Sequence, residues 1–341
     1  MFGLAPLPRT LSAALRDFES AKIEVRLSAL KDLVRHARAG EARAVGAIAA
    51  ALDDGSERVR AAAALGLADA DASGHVERLA ELAERDAAAQ VRQMALLALG
   101  ELGSADSASA VRALVAARRA SDPAERFQAL LALHQLGSDE AEAAIVEGSV
   151  DPDHEVRRLS FRVAEAHWPS GDAVPEPLRA RARDALADAQ PAVRAAAALF
   201  LAQLGDTSGQ QILLAIVERK LPGATFEDHQ AAIELAGRLG LKRAAPALAR
   251  RAFPVLFSDP LADDARVALA RLGDARARAA IVRALDAWTY QGRTLAVAAV
   301  GRARIVEARA RLEQWLNSPG RADPAAIREA LAALARPDSS E

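Results

Sequence analysis

The sequence has no cysteine, and aromatic residues make up only 4% of its 341 residues. The absence of cysteine excludes disulfide bonds, thiolate metal sites and cysteine nucleophiles, and it is typical of a reducing compartment. The scarcity of aromatic residues argues against a fold dominated by β-strands, in which such side chains are enriched. With 51% hydrophobic and 26% charged residues, the chain has the composition of a folded protein rather than a disordered one.

Long apolar runs and targeting signals are also missing. Alanine-rich stretches such as residues 61–70 are far shorter than the roughly 20 residues that cross a bilayer, and charged residues flank them. The N-terminal residues carry no positively charged leader, and Pro6 and Pro8 interrupt them. We therefore expect a cytoplasmic protein without a membrane segment.

Alanine is the abundant residue, with 87 copies in the chain. Because alanine has the highest helix propensity, the sequence predicts an almost entirely helical protein. The chain also repeats itself: the string Val-Arg-Ala-Ala-Ala-Ala-Leu stands at residues 59–65 and again at 193–199, four periods of about 33 residues later. Self-similarity at such a period indicates a stack of repeated structural units.

Each repeat is predicted to contain two helices. Val193 stands near the start of one second helix, Leu204 ends it, and Gly205 fits the left-handed residue that terminates helices. A Leu-Gly dipeptide ends four other repeats in the same way, at residues 102–103, 136–137, 239–240 and 272–273. About ten helix pairs fit the chain, with first helices near residues 9, 41, 74, 106, 139, 177, 207, 243, 275 and 305.

Aspartate and arginine recur six residues apart across the turn within a pair. The four cases are Asp54 and Arg60, Asp86 and Arg92, Asp151 and Arg157, and Asp188 and Arg194. Such a carboxylate is placed to accept hydrogen bonds from amides at the start of the second helix and from an arginine of its own or the adjacent repeat. Because the pattern recurs from turn to turn, we interpret these residues as structural rather than catalytic.

These markers together resemble the HEAT-repeat family, and the short period is similar to that of the bacterial HEAT-like repeats named after phycobilisome lyases. The resemblance implies an all-α fold: a right-handed α-solenoid of about ten HEAT-like helix pairs, with residues 1–341 forming a single solenoid. We expect loop insertions near residues 167–177 and 220–226 and degenerate repeats from about residue 258. Pro246 and Pro254 fall within a predicted first helix and should kink it.

No arrangement of catalytic or metal-binding residues is recognisable in the sequence. The six histidines lie in six different repeats and never stand at the close helical spacing of a metal-ligand pair. A glycine-rich phosphate loop and a Gly-x-Ser-x-Gly motif are absent. We therefore predict that the protein is not an enzyme and that it holds no cofactor and no metal.

The resemblance implies that the second helices line a concave surface, on which each repeat presents residues at fixed positions. In the middle of the array these positions are mostly apolar. The candidate partner-binding residues are Leu65, Met94, Leu97, Phe127, Leu131, Arg158, Leu159, Arg162 and Leu199. Either they form an exposed strip that binds a client, or the adjacent repeats cover them, and the exposure of Leu97, Phe127 and Leu131 distinguishes these alternatives.

The predicted function is a non-enzymatic scaffold or adaptor that binds a protein client along this concave face. The first alternative is binding of nucleic acid or another phosphate backbone through the basic segment 276–311. Its candidate residues are Arg276, Arg278, Arg283, Arg293, Arg302 and Arg304. The second alternative is a tetrapyrrole-handling protein of the bilin lyase type, which rests on the resemblance alone.

Overall fold

The computed structural model describes residues 8–169, 174–254, 259–318 and 320–335. In these ranges it contains 20 α-helices, four short 3-10 helices and no β-strand. Contacts divide the chain into two compact units, one ending at Trp168 (unit 1) and the other beginning at Pro169 (unit 2). Each unit contains five helix pairs, so the predicted all-α fold of about ten pairs is confirmed.

Unit 1 is built from ten helices, and the even-numbered helix is the second of each pair. They are α1 (Leu11–Phe18), α2 (Ile23–Arg38), α3 (Ala42–Ala50), α4 (Glu57–Asp69), α5 (Val76–Arg85), α6 (Ala89–Leu102), α7 (Ala108–Ala117), α8 (Pro123–Gln135), α9 (Ala141–Gly148) and α10 (His154–His167). Successive second helices contact one another from α2 to α10, which is the arrangement of an α-solenoid. Short 3-10 helices cover Ala51–Asp53 and Ser73–His75.

Unit 2 repeats this plan. Its helices are α11 (Glu176–Ala185), α12 (Pro191–Gln203), α13 (Gln210–Val217), α14 (Phe226–Arg238), α15 (Ala245–Ala252), α16 (Ala262–Arg271), α17 (Ala275–Ala284), α18 (Tyr290–Ala303), α19 (Arg309–Leu316) and α20 (Pro324–Ala335). The second helices again contact one another in order, from α12 to α20. Short 3-10 helices cover Lys242–Ala244 and Val306–Ala308.

The first helices begin close to where the repeat period places them. Their first residues are 11, 42, 76, 108, 141, 176, 210, 245, 275 and 309, each within four residues of the predicted start. Helix pairs continue beyond residue 258, where the sequence markers are weak, because buried apolar residues such as Val297, Val300 and Ile305 keep the helical spacing. Residues 218–225, near one predicted insertion, lie outside the helices, whereas residues 170–173 of the other insertion lie outside the described ranges.

The prediction that Pro246 and Pro254 kink a first helix is wrong. Helix α15 begins at Ala245, so that Pro246 stands in its first turn, where a helix needs no amide hydrogen from the residue. The helix ends at Ala252, before Pro254 is reached. The two prolines therefore delimit α15 and do not bend it.

Small residues let the second helices approach one another closely. A Cβ added at Gly237 on α14 would lie 2.7 Å from Ala268 Cα on α16, and one added at Gly301 on α18 would lie 2.8 Å from Ala330 Cα on α20. Both distances are far shorter than van der Waals contact, so these two positions have no room for a side chain. The alanine-rich composition thus reflects close helix packing as well as helix propensity.

Arginines near the start of the second helices join successive repeats of unit 1. Arg26 donates two hydrogen bonds of 2.8 Å to Asp54, and Arg60 donates bonds of 2.7 and 2.8 Å to Asp86. The next two steps pair Arg92 with Glu125 and Arg126 with Asp151. We call these four pairs the Arg–Asp ladder. The two-bond geometry makes each pair a strong and directional link between neighbouring repeats.

The ladder also holds the turn within each repeat. Arg60 Nη1 donates to the carbonyl oxygen of Asp54, six residues earlier, at 2.9 Å. The carboxylate of Asp86 accepts a hydrogen bond from the Ala88 amide at 2.9 Å, and the hydrogen bonds from Arg60 lower the pKa of Asp86. Each carboxylate is therefore paired with the arginine of the preceding repeat, and the recurring pattern is structural.

Candidate functional site

The predicted apolar residues of unit 1 line one side of its second helices. We call Leu65, Met94, Leu97, Phe127, Leu131 and Leu159 the apolar strip; they lie on α4, α6, α8 and α10. All six side chains are partly exposed, so neighbouring repeats do not cover them completely. The partial exposure of Leu97, Phe127 and Leu131 is compatible with a binding strip, and their role in binding a partner stays a prediction.

Charged pairs stand at the α10 end of the apolar strip. Arg158 forms an ion pair with Glu155 at 2.9 Å, and Arg162 forms one with Glu165 at 3.1 Å. Both pairs join residues three apart on the same helix, and all four side chains are partly exposed. The two predicted arginines therefore give the strip a polar margin.

The inclusion of Leu199 among the partner-binding residues is wrong. Leu199 lies on α12 in unit 2 and is only 1% exposed, within the hydrophobic core of that unit. All residues from Ala195 to Ala202 are buried, and α12 packs against α11, α13 and α14 of unit 2. A residue enclosed in this way offers no surface to a partner.

A groove between α2 and α4 extends the apolar strip in unit 1. Its volume is about 540 Å³. Its apolar lining consists of Leu27, Leu30, Val34, Ala62 and Leu65. Glu24 and Arg58, which form an ion pair at 2.6 Å, also line the groove. Of these residues the sequence prediction included only Leu65, although Leu27 and Val34 stand seven residues apart on one helix face and could have been found from that spacing.

Two arginines of the predicted basic segment form ion pairs within unit 2. Arg278 pairs with Glu307 at 2.6 Å, and Arg302 pairs with Asp264 at 2.7 Å. Each positive charge is thereby balanced in part by a carboxylate from another helix or turn of the same unit. Such arginines attract a phosphate backbone less strongly than unpaired ones would.

Other candidate arginines make contacts with the fold itself. Arg293 donates to the carbonyl oxygens of Ala287 and Trp288 at 3.0 and 2.7 Å. The guanidinium carbon of Arg276 lies 3.9 Å from the centre of the Phe253 ring, which is cation–π distance. Arg283 donates weakly to a carbonyl of its own helix, and Arg304 has the left-handed conformation that ends α18. The structure thus assigns most of the basic segment to internal contacts.

Two histidines that the sequence places in different repeats meet in unit 1. His134 on α8 and His167 on α10 stand 33 residues apart, and their Nδ1 atoms lie 3.4 Å from each other. Burial, with a smaller contribution from His167, lowers the pKa of His134. The pair is not visible in spacing along one helix, whereas a separation of one repeat period places two residues on adjacent second helices.

The histidine pair does not extend to a larger metal-binding group. In the described part of the chain, no three or more His, Asp or Glu side chains are placed to hold a metal ion together. In the segment 151–155, two acidic side chains make structural contacts. Asp151 forms an ion pair with Arg126, and Asp153 caps α10 by accepting hydrogen bonds from the Glu155 and Val156 amides. None of the helices described is long and apolar enough to cross a bilayer.

The sequence of residues 76–165 matches the family model of HEAT repeats. These residues span nearly all of α5 to α10, whose second helices and Arg–Asp ladder are described above. The chain therefore contains HEAT repeats over residues 76–165. Its other helix pairs have the same two-helix architecture outside the matched region.

A solved structure has a similar helical-repeat fold. The chain is similar to YibA of Escherichia coli, with 17% identity and a TM-score of 0.58, over 78% of this chain and 93% of that one. At this identity the likeness shows the fold alone. The CpcE–CpcF complex of phycocyanin lyase from Nostoc sp. PCC7120 matches with 18% identity, over 98% of this chain and 97% of that one, but its TM-score of 0.38 carries no argument. No curated protein is significantly similar to the chain in sequence.

Proposed function

We propose that this HEAT-repeat protein is a non-enzymatic scaffold that binds a client protein on the second helices of unit 1. The proposal rests on one observation: apolar side chains are partly exposed on four successive second helices, in the strip from Leu65 to Leu159. HEAT and related repeats typically use such extended surfaces to bind other proteins. The groove between α2 and α4 lengthens the apolar surface at one end.

The shape of this surface favours an amphipathic segment of the client. Neighbouring packed helices lie about 8–10 Å apart, so the strip presents one apolar group at roughly that interval. A client helix or extended peptide would place apolar side chains against the strip and polar ones against its charged margins, such as the Arg158–Glu155 pair. Each repeat adds a small increment of binding free energy, and affinity depends on engaging several repeats.

The ladder carboxylates support a non-enzymatic role. Asp54, Asp86 and Asp151 accept arginine hydrogen bonds, and each has a lowered pKa. A carboxylate held ionised by an arginine is a poor general acid at neutral pH. The recurring acidic residues therefore serve the stack of repeats, and the binding strip contains no nucleophile.

The two alternatives receive less support than protein binding. The arginines proposed to bind a phosphate backbone are engaged with carboxylates, carbonyl oxygens and an aromatic ring of unit 2. A tetrapyrrole-handling activity has no feature of the described residues in its favour beyond the repeat architecture, which hosts many functions.

A crosslinking pulldown tests the proposal. The crosslinkable amino acid benzoylphenylalanine replaces Phe127 in the full chain, and captured proteins are quantified by mass spectrometry. We expect the double variant L97E/L131E to lose at least 80% of the capture, since two buried carboxylates in the interface are strongly unfavourable, on the order of several kcal/mol. Crosslinked client peptides should contain apolar residues at helical or alternating spacing.

A matched variant controls for the added charge. Ile23 and Val150 are 38% and 58% exposed in unit 1 and lie outside the strip, so I23E/V150E adds the same two carboxylates elsewhere. This control should capture the wild-type set of proteins. If L97E/L131E recovers that set equally well, the strip is not the client site and the proposal fails.

A further inference from the structure

Three successive second helices of unit 2 carry an arginine at the same place. Arg238 on α14, Arg271 on α16 and Arg302 on α18 each stand two residues before the residue of positive φ that ends the helix turn. Those terminating residues are Gly240, Gly273 and Arg304, with φ of 64°, 92° and 54°. We call the first three residues the arginine row. The repeat brings them together although they are about 33 residues apart in sequence.

The arginine row retains many unused hydrogen-bond donors. Arg238 and Arg302 are exposed; Arg238 Nη2 donates to the Gln203 carbonyl at 3.2 Å, and Arg302 Nη2 donates to Asp264 at 2.7 Å. Arg271 is partly buried, and no carboxylate of the described residues lies within ion-pair distance of it. Asp264 balances part of the charge of Arg302, but each guanidinium has five N–H donors, so that most donors of the row are available to a ligand.

Positive charge is in excess around Arg271. Burial lowers the pKa of Arg271; Glu234 opposes this effect, and Arg304, Arg238 and Arg302 lower the pKa further. Arg271 nevertheless stays protonated, because arginine does not lose its proton in proteins. The positive charges around this partly buried side chain therefore repel one another. An added anion would relieve that repulsion.

Helix stability alone does not require arginine at this place. A cation near a helix C-terminus is favoured by the helix dipole, by about 0.3–1 kcal/mol. However, the equivalent positions in unit 1 are Arg38 on α2, Asp69 on α4 and Gln135 on α8, and α12 of unit 2 has Gln203, each two residues before a residue of positive φ. The fold therefore accepts an acidic or a neutral residue at this position. Three arginines on successive second helices need another explanation.

We infer that the arginine row binds an acidic segment of a protein partner in extended conformation. Neighbouring second helices lie about 8–10 Å apart, which sets the spacing of the row. An extended chain advances about 3.3–3.6 Å per residue, so carboxylates at every third residue match that spacing. The planar guanidinium favours two-bond recognition of each carboxylate. This inference concerns unit 2 alone and is independent of the client strip in unit 1.

The test uses fluorescence anisotropy with the full chain and three labelled probes. The first is the peptide (Glu-Gly-Ser)₄, the second has the same composition with its four glutamates contiguous, and the third is a 12-nucleotide single-stranded DNA. We expect the first peptide to bind tightest. The variant R238Q/R271Q/R302Q should weaken its binding about tenfold, since three partly exposed ion pairs are lost.

A second triple variant has the same change in net charge. Arg243, Arg250 and Arg283 are exposed residues of unit 2 outside the row, and R243Q/R250Q/R283Q should weaken binding by less than about twofold. Equal weakening by both triples, or equal binding of the two peptides, would overturn the inference in favour of general charge attraction. Tighter binding of the DNA with the same dependence on the row would overturn it in favour of nucleic acid.

Circular dichroism spectra and melting curves establish that the variants are folded. If the row triple does not fold, the single variant R238Q replaces it, because Arg238 is exposed and its one described hydrogen bond is to a carbonyl. That variant should weaken the (Glu-Gly-Ser)₄ peptide about twofold to threefold, as expected for one exposed ion pair. Unchanged binding in R238Q would contradict the inference.

Discussion

Units 1 and 2 contain the same number of helix pairs but join them by different polar contacts. In unit 1 the Arg–Asp ladder links four successive steps with two-bond ion pairs. The contacts of unit 2 include an ion pair of Arg251 with Asp259 of its own helix pair, and hydrogen bonds from Arg293 to backbone carbonyls of its own turn and of the turn before α20. Helix pairs form in both units. Apolar spacing therefore specifies the helix pair, and the ladder adds stability to the pairs of unit 1.

The exposed chemistry of the second helices also differs between the units. Unit 1 presents partly exposed leucines such as Leu97 and Leu131, whereas the equivalent Leu199 of unit 2 is buried. Two residues before the residue of positive φ, unit 1 has Arg38, Asp69 and Gln135 on three second helices, whereas unit 2 has arginine on three successive second helices, α14, α16 and α18. One repeat architecture thus carries an apolar surface in one unit and a cationic one in the other.

Removing an arginine of the ladder should cause the largest difference in stability between the two units. In unit 1, Arg60→Ala leaves the carboxylate of Asp86, whose side chain is only 6% exposed, without its ion-pair partner. An uncompensated buried charge of this kind costs about 3 kcal/mol. We expect the free energy of unfolding measured in urea to fall by this amount. Amide hydrogen exchange should become faster in α4 and α6 and stay unchanged in unit 2.

The matched variant in unit 2 is Arg293→Ala. Arg293 donates to the carbonyl oxygens of Ala287 and Trp288 in its own turn and to those of Gly320 and Arg321 in the turn before α20, and these carbonyl groups can bind water instead. We expect a loss of about 1 kcal/mol, with faster hydrogen exchange in α18 and α20. Equal losses from the two variants would show that the ladder contributes no special stability to unit 1.

The fold was predictable because its signals are local and repeated. The positive-φ residues Gly205, Gly240 and Gly273 end second helices where the Leu-Gly dipeptides predict, and alanine-rich segments form those helices. The strip residues of unit 1 were selected by repeat position, and they are partly exposed, but their binding role stays a prediction. Burial of Leu199 did not follow, because it depends on which neighbouring helices cover α12, and a single-helix pattern contains no record of that contact.

The pairs that escaped prediction are close in space and distant in sequence. His134 and His167 meet across adjacent helices. The arginine row of Arg238, Arg271 and Arg302 is spread over three repeats, so it does not stand out as a contiguous basic segment such as 276–311. In a stack of repeats, charge is gathered by equal position in successive repeats, so a search at intervals of about 33 residues is the appropriate one.

Substitution of glycine by alanine should change the stability in opposite directions in the two units. Gly237→Ala in unit 2 places a Cβ 2.7 Å from the Ala268 backbone, and such overpacking costs about 1–3 kcal/mol because α14 and α16 must separate. Gly46 in α3 of unit 1 has no atom within 4 Å of an added Cβ, so Gly46→Ala should stabilise the protein by about 0.5–1 kcal/mol. Urea unfolding measures both changes, and two changes of the same sign would contradict the packing argument.

The smallest effect should be a dependence of unit 1 stability on pH between about 7 and 5. Burial lowers the pKa of His134 below the ordinary value of 6.5, so the unfolded chain takes up protons at a higher pH than the folded one. The stability that His134 contributes is therefore present above pH 6.5 and is lost as the pH falls below it. The ladder aspartates Asp54, Asp86 and Asp151 do not contribute in this range, because their pKa values are lowered from 3.8.

The variant His134→Gln isolates this contribution. Glutamine keeps a polar side chain at the position but does not titrate, so the slope of unfolding free energy against pH should decrease in the variant, with hydrogen exchange at α8 and α10 as the unit-specific measurement. His229→Gln in unit 2 is the counterpart, since burial also lowers the pKa of His229. Each substitution should flatten the pH dependence of its own unit only. If His134→Gln flattened the profile of unit 2 as well, the two units would open together, and their contrasting polar contacts would act on one cooperative structure.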